Sequence, residues 1–226
     1  MKQTFSLLLA LMLTASLAAC GPARPTSPSH SGPAASPIPA LSPAPTKTPS
    51  VGSASAQEGK VLVAYFSATG ATARVAAEIA AYLNADLFEI TPETPYTEAD
   101  LNYGDSDSRA NREMNDETSR PALKATVENV AQYDTILLGF PIWWGQAPRL
   151  IETFIEAHDL SGKTILPFCT SGSSGYGQTG EILAALTDET VTWLAGRRFP
   201  AGATVEEIAA WLQEMAIEPY APSEEE

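Results

Sequence analysis

The chain has 226 residues, with 27 Asp and Glu against 13 Lys and Arg and a formal net charge of −14. That balance excludes a nucleic-acid-binding protein, which needs a basic face, and fits a soluble acidic domain that meets basic partner surfaces. Two cysteines, Cys20 and Cys169, cannot build a disulfide framework, and with only His30 and His158 beside them no zinc-type constellation forms.

At the amino end Lys2 precedes an apolar run over residues 7–17, too short to span a bilayer comfortably, so it reads as a targeting segment. The run ends in Leu17-Ala18-Ala19-Cys20, which resembles a bacterial lipobox. The resemblance implies that residues 1–20 are a lipoprotein signal and that Cys20 is lipidated. The domain would then stand outside the cytoplasm, held at a bacterial membrane by two or more acyl chains. Residues 21–58 follow as a linker carrying nine of the chain's 18 prolines among Ser, Ala and Thr. Such a composition buries too little to offset its ordering entropy, and as polyproline II it reaches about 3.1 Å per residue, on the order of 100 Å in all.

The folded domain is expected over residues 59–220, before an acidic tail at 221–226. Residues 61–66 are apolar without alternation, as in a strand buried on both faces. Ser67, Ala68, Thr69, Gly70, Ala71 and Thr72 then make a small polar loop, and Val75, Ile79 and Leu83 recur at helical spacing after it. Strand, polar loop, helix presents free N–H groups to an anion. There is no lysine of the GxxxxGK[ST] kind and no GxGxxG, so hydroxyls and amides point to a single terminal phosphate. A plain Ser/Thr-rich turn would share this composition.

Residues 86–90 form a second, partly polar strand, expected at an edge. Residues 91–120 carry eight acids, three arginines, Tyr96 and Tyr103. So long a connection is either a solvated acidic loop with a short helix or a cover over a ligand edge. Pro121 is expected to open a helix with Leu123, Val127 and Val130 as its stripe. Residues 135–140 make an apolar, central strand. It leads into Pro141, Ile142, Trp143, Trp144 and Gly145, where adjacent tryptophans send their rings to opposite sides. One then packs inward and the other stands at a pocket wall, unless both are structural. A helix over 149–157 follows, with Leu150, Ile151, Phe154 and Ile155 inward and His158 at its end. The strand at 163–169 contains Pro167, awkward for a central position. It runs into Thr170, Ser171, Gly172, Ser173, Ser174, Gly175, Tyr176 and Gly177, a second loop that lets a ligand approach backbone closely. Cys169 beside it reads as a buried small hydrophobe. A helix with Ile182, Leu183 and Leu186 inward comes next, then a fifth strand within 191–199, irregular at Gly196. Thr204 and Glu207 form a capping box for a last helix carrying Ile208, Trp211, Leu212 and Met215.

Five strands alternating with helices predict a doubly wound α/β domain. Residues 67–72 match the [ST]-x-T-G-x-T loop of the flavodoxins, and the chain resembles that family. The PIWWG loop with its Pro-led helix, and the segment 112–121, resemble a flavodoxin-like subgroup. The resemblance implies a five-stranded parallel sheet in the order 2-1-3-4-5, with the ligand at the switch between strands 1 and 3. It implies FMN, with its phosphate in the loop 67–72. The isoalloxazine would lie between residues 141–145 and the loop bearing Ser171, Gly172, Ser173 and Gly175. No general acid or base stands among these loops. GxSxG is absent, and His158 is expected at the opposite edge of the sheet, which excludes a serine triad. The expected function is electron transfer through FMN to a redox partner protein with a basic surface. The alternatives are an FMN-dependent NAD(P)H:quinone-type reductase and, from a different class, a binding module without flavin.

Overall fold

The computed structural model describes residues 59–219. The signal segment with Cys20, the linker and the acidic tail lie outside the described residues. Strand β1 (Val61–Tyr65) pairs in parallel with β2 (Asp86–Glu89) on one side and β3 (Thr135–Pro141) on the other, and β3 pairs with β4 (Thr164–Thr170). Beyond β4 the outer position is filled by two short pieces, β5 (Thr192–Trp193) and β6 (Arg197–Phe199), each parallel to β4. The order β2-β1-β3-β4-β5 is the doubly wound one expected.

The unbroken apolar runs are explained by two cores. In β1, Leu62 and Ala64 face one core and Val61, Val63 and Tyr65 the other. The alternation serves helices on both faces. On one face lie α1 (Ala71–Leu83) and α5 (Val205–Glu214). The other core takes residues from α2 (Arg109–Asn115), α3 (Arg149–Glu156) and α4 (Thr179–Ala184). The capping box is formed: Thr204 Oγ1 accepts from the Glu207 N–H, and Glu207 accepts from the Thr204 N–H. β2 is the edge strand, with Asp86, Leu87 and Glu89 exposed.

Pro167 sits in β4 without disrupting it. The Lys163 and Ile165 carbonyls accept from the outer Thr192 and Leu194 N–H groups. Every second residue of β4 therefore aims its polar backbone outward, Pro167 among them. There the outer strand is broken between β5 and β6, so the missing N–H faces no partner strand.

Two expectations are corrected. Residues 121–129 form no α-helix; only a 3-10 turn at Val130–Gln132 follows them. The segment lies against the start of the long connection instead. Leu123 bridges Pro92 in antiparallel fashion, and the Glu93 and Lys124 N–H groups donate to the Ala122 and Thr91 carbonyls. Tertiary partners thus outweigh a weak helical spacing. Ile182 is exposed, because α4 is only six residues long and buries Leu183 but not its neighbour.

Candidate functional site

The loops following β1, β3 and β4 meet at the carboxyl edge of the sheet around a cavity of about 280 Å³. The first loop contributes Ala68, Thr69 and Ala71 to its wall, and the second Pro141, Ile142 and Trp143. Thr170, Ser171 and Gly172 come from the third.

The first loop turns at Gly70, whose φ of +88° places it in the left-handed region, open to glycine at no steric cost. Gly70 caps α1 without a side-chain hydrogen bond, and the first turn holds no acid. The N–H groups there lack intrahelical partners and carry the positive end of the helix dipole. The three hydroxyls differ. Ser67 Oγ accepts from the Gly70 N–H at 3.1 Å and so braces the loop. Thr69 is exposed, and its hydroxyl makes no hydrogen bond among the described residues. Thr72 and Thr170, both buried, share one hydrogen bond at 2.8 Å between their hydroxyls. Two hydroxyls carry two hydrogens, so one of them stays available to an acceptor.

The second loop is a two-residue turn. Trp143 and Gln146 exchange backbone hydrogen bonds at 2.8 and 2.9 Å, and Trp144 and Gly145 both have positive φ, 47° and 81°. That is the geometry of a type I′ turn, uncommon for a residue as bulky as Trp144. The two rings separate as the sequence predicts, but the expected division of roles does not hold, because the buried ring rather than the exposed one stands at the pocket wall. Trp143 is 3% exposed, edge-on to Phe66 and Tyr96, and still borders the cavity. Trp144 is 41% exposed and lies 4.5 Å, centroid to centroid, from Tyr103. Neither Trp144 nor Gly145 borders the cavity; Tyr103 does.

The third loop is held from β6. Arg198 Nε donates to Ser171 Oγ at 2.9 Å, and Nη2 donates to the Ser171 and Gly172 carbonyls at 2.9 and 3.0 Å. Ser171 Oγ in turn donates to the Ser174 carbonyl. Ser173 and Gly175 are exposed and stand outside the cavity. Cys169 is buried, and burial pushes its thiol up to about 12, so it is no nucleophile at neutral pH. Arg74 of α1 fixes the opposite rim by donating to the Ala201 and Ala203 carbonyls, and Ala201 borders the cavity.

Tyr103, Ala201, Arg74 and Arg198 are thus additions to the residues expected from sequence. Tyr103 belongs to the long acidic connection and borders the cavity as the ligand-edge reading of that segment expects, whereas Arg198 carries no local signal. His158 lies at the far end of α3. Its Nε2 accepts from the Val127 N–H at 2.9 Å, which leaves Nδ1 as the protonated nitrogen, donating to the Phe154 carbonyl at 2.7 Å. It is a structural ring. Among the described residues no three His, Cys, Asp or Glu cluster to hold a metal, and no helix is long and apolar enough to cross a membrane.

Chemically, the cradle offers amides and hydroxyls to a phosphate monoester at α1. A wall of indole, phenol and backbone stands beside it. A family model described as flavodoxin matches residues 60–215. The fold is similar to an inferred flavoprotein from Bacteroides eggerthii DSM 20697, with 46% identity over 70% of this chain and 99% of that one and a TM-score of 0.66. An inferred flavoprotein from Bacteroides uniformis ATCC 8492 shares 47% identity over 69% and 98% of the two chains, TM-score 0.66. A flavoprotein in complex with FMN from Lactobacillus acidophilus NCFM is 22% identical over 62% and 93%, TM-score 0.54. No curated protein matches the chain.

Proposed function

The chain belongs to the flavodoxin family, and from that premise we propose that it is an FMN-binding electron-transfer protein. FMN supplies one- and two-electron redox chemistry, and the protein supplies position and electrostatics. The observation that carries the reading is the meeting of three independent loops, after β1, β3 and β4, on one cavity at the β1/β3 switch. The donor set fits the phosphate: an uncapped α1 terminus, the Thr69 hydroxyl and the spare hydrogen of the Thr72–Thr170 pair. Ser67 serves indirectly, by holding Gly70 in place. Pro141, Ile142 and Trp143 would border one side of the isoalloxazine and Ser171 and Gly172 the other, with Tyr103 closing the mouth.

The reading extends to the whole chain. Cys20 carries the lipid, the proline-rich linker spaces the domain from a bacterial membrane, and the domain works outside the cytoplasm. The redox partner presents a basic surface to this acidic chain. The test begins with colour. Purified full-length protein, or apoprotein given FMN, should be yellow and bind FMN one to one; a colourless protein that ignores FMN overturns the proposal. Under anaerobic conditions NADH or NADPH alone should bleach the band slowly or not at all. Rapid bleaching followed by turnover on a quinone would assign a reductase instead.

A further inference from the structure

Arg198 is placed unusually for a cation in an acidic chain. Its neighbour Arg197 lies 3.9 Å from Glu214, whereas Arg198 has no carboxylate partner among the described residues. Its guanidinium is half-buried and spends two nitrogens on the third loop, through three hydrogen bonds to Ser171 and Gly172. Both of those residues form the cavity wall. The bonds reach one hydroxyl and two carbonyls, all neutral, so among the described residues no carboxylate pairs with the positive charge one residue behind the wall. β6 holds it there in register with β4: Cys169 lies beside Arg198 and Thr170 beside Phe199. The charge is felt locally, for it draws the Cys169 thiol downward against the larger effect of burial.

We propose that Arg198 both positions the third loop and acts as the fixed positive charge of the site, favouring the reduced, more negative form of the bound flavin. This rests on the FMN reading above. Electrons arrive from a reduced donor partner and leave to an oxidised acceptor partner. Arg198 is neither oxidised nor reduced and transfers no proton. A charge fixed in advance costs no reorganisation when negative charge develops nearby, and inside a protein it is felt more strongly than in water. It opposes the net −14 of the chain, which disfavours the reduced form.

Two variants separate charge from geometry in the FMN-loaded full chain. R198Q keeps amide donors for the loop and removes the charge. R198K keeps the charge and loses the planar fork. The midpoint potential is read by spectroelectrochemistry, and FMN and riboflavin affinities by titration. R198Q is expected to lower the preference for the reduced form about tenfold, a fall of about 59 mV for a one-electron couple. R198K is expected to hold the potential near wild type while weakening both FMN and riboflavin, because the loop is loosened. The proposal is overturned if R198Q weakens FMN with no change in potential, or if R198K shifts the potential as far as R198Q does. If R198Q does not fold, R198M, which also removes the charge, is read in its place, and an unmoved potential there overturns the proposal equally. A wild-type chain that binds no FMN fails the earlier reading and takes this one with it; one that binds FMN with an unmoved potential in R198Q fails this one alone.

Discussion

Thr69 and His158 show what a single residue's partners decide. Among the three hydroxyls of the first loop only Thr69 has no hydrogen bond to the described residues, so it is the one to test against phosphate. A hydrogen bond to a charged group contributes about 1.5–3 kcal/mol, so Thr69→Val should weaken FMN at least tenfold. Riboflavin, lacking the phosphate, should lose little; equal losses in paired titrations would count against phosphate contact. The hydroxyl types were legible in the sequence, but their division of labour was not. Thr72 meets Thr170 across 98 positions of chain, and no local pattern announces that pairing. His158 makes a prediction in pH. Burial lowers its pKa below the ordinary value of about 6.5. As pH falls, the unfolded chain therefore takes up the proton first. The stabilisation from the neutral ring is complete above that ordinary value and is lost as pH drops through the folded one. Protonation also removes the acceptor used by the Val127 N–H, a bond worth about 1 kcal/mol. Melting temperature should decline from pH 7.5 to 5.5, and His158→Gln should flatten that slope; an unchanged slope would show that other groups cause it.

At the level of elements, the long connection is held by a buried ionic network at the start of α3. Arg149 and Glu152, 6% and 4% exposed, pair at 2.5 Å, and Arg149 Nη2 donates to the Met114 carbonyl at the end of α2. Arg120 bridges Glu152 and Glu156 from the connection's far end. Breaking a buried pair by removing one partner leaves an uncompensated charge, so Glu152→Ala should cost about 3–5 kcal/mol in denaturant unfolding. Replacing both partners, as Arg149→Met with Glu152→Leu, should recover much of that; a double variant no better than the single would show that Arg149 matters for α2 and not for charge balance. Helix α2 could have been read more sharply. Ser108 caps it by accepting from the Asn111 N–H, and Ala110 and Met114 are its buried positions at i and i+4. The expected helix at 121–130 had the spacing but not the partners. Leu123 is taken by Pro92 and the Val127 N–H by His158. The second loop shows the reverse case. Two adjacent tryptophans announced opposite directions, and the I′ turn delivers them. A bulky residue in the left-handed region costs on the order of 1–3 kcal/mol. Trp144→Asn should relieve that strain and lose the Tyr103 stack, worth about 0.5–1.5 kcal/mol, for little net change in stability. Flavin fluorescence should then separate the rings. Trp143→Phe should raise it strongly and Trp144→Asn weakly. The opposite order would move the flavin contact to Trp144.

For the whole molecule, the distribution of chemistry along the sheet gives the chain a direction. Gly59 opens the described residues at the amino end of β1, and every loop of the candidate site lies at the carboxyl end, a separation of about 16 Å along a five-residue strand. The apolar strands made this layout legible, since a parallel sheet puts all its strand-to-helix loops on one edge. The rim was legible only in part: the long connection bearing Tyr103 reads as a candidate cover over a ligand edge, whereas Arg198 reaches the rim from a strand with no motif. The attachment point at Gly59 is therefore at the edge of the sheet opposite the candidate site, and under the proposed lipidation at Cys20 the domain would be confined near membrane partners. Confinement raises the effective concentration of such a partner without adding a contact. The net charge of −14 adds long-range attraction to basic surfaces, screened over about 10 Å at 0.1 M salt. Electron transfer to a soluble basic partner should therefore slow about tenfold or more between low and physiological salt, in wild type and Cys20→Ala alike. Membrane fractionation should find Cys20→Ala released or unprocessed, its flavin spectrum unchanged. Its exchange with a membrane-bound partner should slow while exchange with the soluble partner does not. A Cys20→Ala protein that stays membrane-bound and normally processed would remove the anchor, and with it the reason for so long a linker.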